Sequence, residues 1–470
     1  MTAIRQTMAL ANDLNHSRVA KHRAELEDLI ARLEDAKAAE CTASDIRRAA
    51  LIDNVLEQLN KRLYRYEGPA GGCTPAGTVV ANSTGCSSVY ASTAPYNSYQ
   101  EPWVNGLFQD AQPLAKGIFE GLAADLASDV LAIRQAHALL DDTPWDSIPT
   151  TAPEWRKFSE EELSLMPSVL TISGDGAAYD IGFGALSRVL TSGTPLKMLV
   201  LNTGAYSNTG GQASTASLEG QDSDLSRFGS FHTGKQEQRK ELALLAAMHP
   251  QVLVISASTS YQAHFLKNVS AALAQNDYPA VIDVYTSCQP EHGIGDDESA
   301  ERSRLAVKSR VNPLFVHEPQ HEDITDRFIL AGNPNVNDTW SKNRLSYIDD
   351  EGAKKILNVE YTPADFAYGE RRFRKHFQVL ADDAPTPTPV AEFLELTLDE
   401  RSTATPFIYT VDKDGALKRI HISADMVALT QRCRDYWHML QFLAGHDLAA
   451  LRKENMELLK KLNETCGENK

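Results

Sequence analysis

Four short apolar runs constrain this chain more than anything else in it. They are "SVLTIS" (168–173), "KMLVLN" (197–202), "VLVISA" (252–257) and "AVIDVY" (280–285), each β-rich and each separated from the next by helical pattern. Strands that are apolar on both faces and alternate with helices predict a parallel sheet covered on both sides. The fold class expected is therefore α/β, a doubly wound and mostly parallel sheet. In such sheets ligands sit at the carboxyl ends of the strands. The loops "GDGAAYDIG", "TGAYSNTGGQ" and "TSCQPEHGIG" fall at those ends.

The flanks read differently. Residues 17–63 repeat apolar side chains at helical spacing, with Ser44 and Asp45 as an N-cap region, and predict a helical hairpin. Residues 64–106 are rich in Gly, Ser, Thr, Pro and Asn and read as long loops, which are often functional. Residues 107–141 return to helical pattern. After 320 the pattern weakens into an α+β extension. There "DDAPTPTP" (382–389) reads as a linker and "PFIYTVDKDGALKRIHIS" as a hairpin turning near Asp414 and Gly415. A last helical tract starts near 425, and Leu448, Leu451, Asn455, Leu458 and Leu462 at its end, at heptad-like spacing over barely two heptads, predict a packed terminal helix rather than a coiled coil. The domain organisation expected is 1–63 as a helical segment, 64–320 as the ligand-binding domain, and 321–470 as an extension for docking or dimerisation.

Charge narrows the partners. The formal charge is −17 at pH 7, which argues against a nucleic-acid or anionic-membrane binder, since either needs a basic face. The basic run "GERRFRKHF" (369–377) reads as a solvated helix face or a local dock for an acidic partner. No run approaches the about 20 apolar residues of a membrane span. The polar start of the chain lacks a signal-peptide core. Six cysteines in 470 residues make no disulfide framework. A reduced, cytoplasmic protein is the expectation.

The loops carry candidate chemistry. Asp175 sits at a strand end between Gly174 and Gly176, where glycines let the backbone turn and approach a ligand. Helix amides just after it could hold a phosphate. One strand later, Thr203 offers a hydroxyl, Ala205 a carbonyl and Asn208 an amide. A carboxylate, a hydroxyl, a carbonyl and diphosphate oxygens form a hard-oxygen set suited to Mg²⁺. Two glycine-rich turns without a ligand would use the same residue types.

"GDG" followed one strand later by "NT" is the thiamine-diphosphate signature. "GDGAAYDIGFGALSRVLTSG", "YSNTGGQAS", "ANSTGCSSVYASTAP", "PWVNGLFQDA", "YTSCQPEHGIG" and "AVKSRVNPLF" together resemble the thiamine-binding portion of pyruvate:ferredoxin (flavodoxin) oxidoreductases. The resemblance spans residues 66–317 and leaves out 1–60 and everything after 320. It implies that Asp175, Thr203 and the Ala205 carbonyl bind Mg²⁺. Gly174, Gly176, Ala177, Gly204, Tyr206, Ser207 and Asn208 would join them in lining thiamine diphosphate, with Cys86 also in contact. Asn208 would act on the 2-oxoacid carbonyl as the catalytic residue. Ala177 stands where the family usually has an aromatic side chain.

The same resemblance implies oxidative decarboxylation of a pyruvate-like 2-oxoacid to acyl-coenzyme A and CO₂. Electrons would leave through a 4Fe–4S cluster to ferredoxin or flavodoxin. Cys73, Cys86 and Cys288 match three of the family's four cluster ligands, but Ala70 stands where the first is expected, and a thiamine-contacting glutamate after the pair is missing. Three outcomes stay open: a three-cysteine cluster with another fourth ligand, loss of the cluster, or a fourth cysteine from Cys41 or a partner. Cys433 and Cys466 lie outside the resemblance and read as structural or exposed. His232 and His292 lie in loops near the site and read as plain loop histidines, with contact to substrate or cluster as the alternative for His292, and "GDDESAE" (295–301) reads as a solvated helix start. No second thiamine-type domain and no ferredoxin-type cysteine run is seen. A partner subunit carrying the pyrimidine-binding domain and its activating glutamate is therefore expected, in a hetero-oligomer. The alternatives are a non-oxidative thiamine-dependent decarboxylase or acyl transferase without the cluster, and a non-catalytic subunit. Retention of Asp175, Thr203 and Asn208 argues against the last.

Overall fold

The computed structural model describes residues 1–40, 46–67, 77–92, 97–224 and 226–446. Its helices are α1 (Thr2–Glu40), α2 (Ile46–Glu67), α3 (Ala111–Leu140), α4 (Phe183–Thr191), α5 (Gln262–Ala274), α6 (Ser299–Lys308) and α7 (Ala424–Leu443), besides shorter turns. The main sheet contains β1 (Thr78–Ser83), β2 (Trp103–Gly106), β3 (Ser168–Gly174), β4 (Lys197–Asn202), β5 (Leu253–Ser258), β6 (Ala280–Tyr285), β7 (Phe315–His317) and β8 (Phe328–Ile329). Their order is β2-β1-β3-β4-β6-β5-β7-β8. β1 is parallel to both β2 and β3, and the sheet turns antiparallel at β7 and β8. The four strands expected from the apolar runs all form, and β4, β5 and β6 are buried along their whole length.

β1 corrects the reading of 64–106 as loops. "TVVANS" has few strongly apolar residues yet is buried at all but one position. Its polar groups are satisfied by side chains. Asn15 Nδ2 donates to Thr78 Oγ1 (2.8 Å), and Asn82 pairs with Ser87 and Asn105. A strand stabilised this way carries no apolar signature.

The chain forms two compact units, one of 1–173, 184–199 and 269–280, the other of 174–183, 200–268 and 281 onward. In the first, the helical hairpin is longer than expected, α1 starting at Thr2. Leu26, Leu29, Leu33, Ile52, Val55, Leu59, Ile133 and Leu139 form its core. Arg62 and Asp129 make a largely buried ion pair at 3.1 Å beside it.

In the second unit, the extension after 320 is more ordered than its sequence suggests. It contains an antiparallel hairpin of β9 (Ser341–Ile348) and β10 (Lys354–Tyr361) that the sequence pattern did not reveal. A further sheet holds β11 (Phe377–Val379), β12 (Pro387–Pro389), β13 (Thr405–Val411) and β14 (Leu417–Ile422) in the order β11-β14-β13-β12. β12 lies in the segment read as a linker. The β13–β14 hairpin turns where expected, with Gly415 at φ +85 and Asp412 accepting from the Asp414 and Ala416 amides. Phe366, Phe373, Ile408, Ile420, Ile422, Met426, Leu429 and Cys433 share one core with Leu218, Tyr285 and Ala306. The extension is thus packed into the unit that carries the strand-end loops.

"GERRFRKHF" is not a solvated helix face. Arg371–His376 is a tight 3-10 segment with Arg372, Phe373 and His376 buried. The terminal leucine series and the Ser44–Asp45 cap lie outside the described residues. Among those described, no helix is long and apolar enough to cross a membrane.

Candidate cofactor site

The site is built at the carboxyl ends of β3 and β4. β3 ends at Gly174, and a helical turn starts at once, so the Asp175 side chain stands in the bend. Asp175 is 2% exposed. Thr203, just past β4, places its hydroxyl 3.0 Å from Asp175 Oδ1 and 3.1 Å from the Ala205 carbonyl oxygen. Ser207 Oγ lies 3.3 Å from the same hydroxyl. Carboxylate, hydroxyl and carbonyl oxygens therefore converge as the sequence implied, and this donor chemistry suits a hard divalent cation. Burial pushes the Asp175 carboxyl up to about 6, against hydrogen bonds from Ser214 and Thr203 that pull it down. A buried carboxylate of this kind gains by meeting a cation.

Two glycines make the loops possible. Gly204 turns at φ +63, a left-handed conformation that side chains disfavour. A Cβ on Gly176 would overlap the Tyr206 ring, which packs directly on its backbone. Tyr206 is anchored from the other end by its hydroxyl on Asp180 Oδ2 (2.5 Å), and Thr215 also donates to Asp180.

A buried polar layer lies behind the loops. Tyr179 donates to Asp283 Oδ2 (2.5 Å), Asn202 Nδ2 donates to Tyr179, and Asn202 Oδ1 accepts from the Gly204 amide. Burial holds Asp283 up at about 6 and raises the Tyr179 hydroxyl further. His292, fully buried, meets the Thr203 carbonyl through Nε2 at 2.7 Å. Since a carbonyl only accepts, Nε2 carries the proton. Burial, then the Arg372 charge, lowers His292 to about 4. It is a structural part of the site, not the plain loop histidine expected. His232 is exposed, as are the carboxylates of 296–298.

Asn208 is exposed on the short turn Ser207–Thr209, while Ala177 is buried just after the Asp175 bend. Cys86 and Cys288 are both half-buried, and Cys288 precedes the short helix Gln289–His292. Cys73, Cys41, Cys466 and Ala70 lie outside the described residues. Among the described residues, no group of three or more His, Cys, Asp or Glu side chains gathers as a metal site. Cys433 is buried in the core of the second unit.

Sequence reasoning missed Ser214, which donates to Asp175 Oδ2 at 2.6 Å. It also missed Gln221, Glu370 and Arg372. Ser214 had a weak signal, lying in the glycine-rich run after Thr203. The other three had none, because they reach the loop from distant segments.

Residues 163–284 match the family described as thiamine pyrophosphate enzyme, C-terminal TPP binding domain. The chain is 29% identical over 320 residues to pyruvate:ferredoxin oxidoreductase of Moorella thermoacetica, covering 56% of this chain and 26% of that protein. It is 28% identical over 238 residues to pyruvate synthase subunit PorB of Methanocaldococcus jannaschii, covering 51% of this chain and 70% of that subunit. A solved 2-oxoglutarate:ferredoxin oxidoreductase of Magnetococcus marinus aligns at 16% identity and a TM-score of 0.31, over 53% of this chain and 74% of that one. The chain spans about a quarter of the length of the Moorella protein. Over about half of its length the chain is thus similar to pyruvate:ferredoxin oxidoreductase and to the PorB subunit of pyruvate synthase, and residues 163–284 match the TPP binding domain family.

Proposed function

We propose that this chain is the thiamine-diphosphate- and Mg²⁺-binding subunit of a 2-oxoacid:ferredoxin or flavodoxin oxidoreductase, which converts a pyruvate-like 2-oxoacid and coenzyme A to acyl-coenzyme A and CO₂. The observation that carries this reading is the convergence of the Asp175 carboxylate, the Thr203 hydroxyl and the Ala205 carbonyl at two strand ends inside the TPP-domain match.

Asp175, Thr203 and Ala205 would hold the cation. Gly174, Gly176, Ala177, Gly204, Tyr206, Ser207 and Asn208 would line the cofactor, and Cys86 would approach it. Bound thiamine diphosphate supplies a carbon nucleophile and an electron sink for loss of CO₂. The chain's own residues position and bind: Ser214 fixes the Asp175 carboxylate, Tyr206 is held on Asp180, and Asn208 would orient the keto oxygen of the substrate. The activating glutamate would come from a partner subunit with the pyrimidine-binding domain, in a cytoplasmic hetero-oligomer. The electron outlet proposed is a 4Fe–4S cluster on Cys73, Cys86 and Cys288. Of these, Cys86 and Cys288 are half-buried and Cys73 lies outside the described residues.

The test is anaerobic purification of the chain assembled with a pyrimidine-domain subunit. Titration with thiamine diphosphate and Mg²⁺ should show binding, the purified assembly should contain iron, and pyruvate with coenzyme A should reduce a viologen dye. An assembly that binds no thiamine diphosphate overturns the reading. CO₂ release without iron or dye reduction supports the non-oxidative decarboxylase or acyl transferase instead.

A further inference from the structure

The loop Thr203–Ala205 is held from behind by two residues of the C-terminal extension, far outside the TPP-domain match. Glu370 and Arg372 are 1% and 5% exposed. Arg372 Nε donates to Glu370 Oε2 at 2.7 Å, and the other Glu370 oxygen faces Arg302 Nε at 3.6 Å and His292 Nδ1 at 3.7 Å. From this buried pair one chain of hydrogen bonds reaches the loop. It runs from Arg372 Nη1 to Gln221 Oε1 (2.9 Å) and from Gln221 Nε2 to the Gly204 carbonyl (3.2 Å), which also accepts from Ser217 Oγ at 2.6 Å. His292, whose Nε2 holds the Thr203 carbonyl, packs beside Glu370 without a hydrogen bond to it. The Arg372 carbonyl also accepts from the Asp222 amide (2.9 Å), tying the two segments by backbone.

We infer that Glu370 and Arg372 are positioning residues of the cofactor loop. Through Gln221 they help Ser217 hold the Gly204 carbonyl, while His292 holds the Thr203 carbonyl, so that Ala205 supplies the backbone oxygen that meets the Thr203 hydroxyl. Three successive carbonyls could each turn toward a cation. Capture of the first two selects the third, and the left-handed turn at Gly204 permits it. A fixed donor set needs this kind of support, because a ligand loop left to itself samples other peptide orientations. The extension is then part of the site. This inference rests on the cofactor-loop reading proposed above, and its test is separable from it.

The full-length chain, alone and in the assembled complex, is compared with Gln221→Glu and Arg372→Lys. Gln221→Glu keeps an acceptor for Arg372 but removes the donor to Gly204. Arg372→Lys keeps the charge but removes the fork. Either variant decides the question. Amide exchange at residues 203–206 should accelerate about tenfold, the worth of one buried hydrogen bond, while exchange in β3 and β4 stays unchanged. In the complex, the affinity for thiamine diphosphate with Mg²⁺ should fall about tenfold. Trp437→Phe removes a buried hydrogen bond elsewhere in the extension, Nε1 to the Asp338 carbonyl at 2.9 Å. It should lower the melting temperature and leave both readouts unmoved. Unchanged exchange at 203–206 in either variant, or an equal change in Trp437→Phe, overturns the inference. A wild-type complex that binds no thiamine diphosphate overturns the cofactor reading, and the exchange comparison still decides the coupling.

Discussion

Ser214 Oγ donates a 2.6 Å hydrogen bond to Asp175 Oδ2, while Thr203 Oγ1 sits 3.0 Å from Oδ1. Both carboxylate oxygens are thereby held, and the plane of the carboxylate is set before any ligand arrives. Ser214→Ala should cost about 1–3 kcal/mol of stability, because a buried carboxylate oxygen loses its donor. Urea unfolding of the ligand-free chain measures this, and an unchanged midpoint and slope would show the bond to be unimportant.

Asp175→Asn separates binding from folding. The amide removes a buried charge that burial already disfavours, so the ligand-free melting temperature should stay level or rise. The rise in melting temperature that thiamine diphosphate and Mg²⁺ give the wild-type assembly should vanish, since a ligand that no longer binds cannot stabilise the native state. Thermal melts with and without both ligands read the two effects apart.

Gly176 and Tyr206 should be energetically coupled. Gly176→Ala alone forces the Tyr206 ring off the backbone, at about 1–3 kcal/mol. In a Tyr206→Ala background the added methyl meets open space, and its cost should largely disappear. A double-mutant cycle by chemical denaturation with a coupling near zero would falsify the close packing of this pair.

Lys197 makes one part of the stability pH-dependent. It opens β4 at 1% exposure and donates to the Gln275 carbonyl. Burial, then the Arg18 charge, lowers its pKa from 10.5 to about 7. Between those values the unfolded chain keeps the proton and the folded chain releases it, so folding becomes more favourable as pH rises. Relative to Lys197→Met, wild-type stability should gain about 1.4 kcal/mol per pH unit across that window, and the difference should level off below it. Paired unfolding curves at several pH values would show a flat difference if the lysine stays charged in the fold.

The strands β3 to β6 were legible because burial on both faces demands an unbroken apolar run. The β13–β14 hairpin was legible because its turn needs Asp and Gly at set places. β1 was not, because its buried Thr78 and Asn82 are satisfied by partners that only folding brings near. The β9–β10 hairpin was hidden by its polar composition, with a single buried position in each strand.

For the site, local chemistry was written in the chain. Asp175 between glycines and Thr203 after the next strand specify hard-oxygen donors at strand ends, whatever the rest of the molecule does. What only the tertiary structure decided is how those donors are held. Ser214, His292, Gln221 and the Glu370–Arg372 pair act across long stretches of sequence, and no spacing rule links them. Their proximity follows from how distant segments, the extension among them, pack together, since a hydrogen bond depends on distances in space.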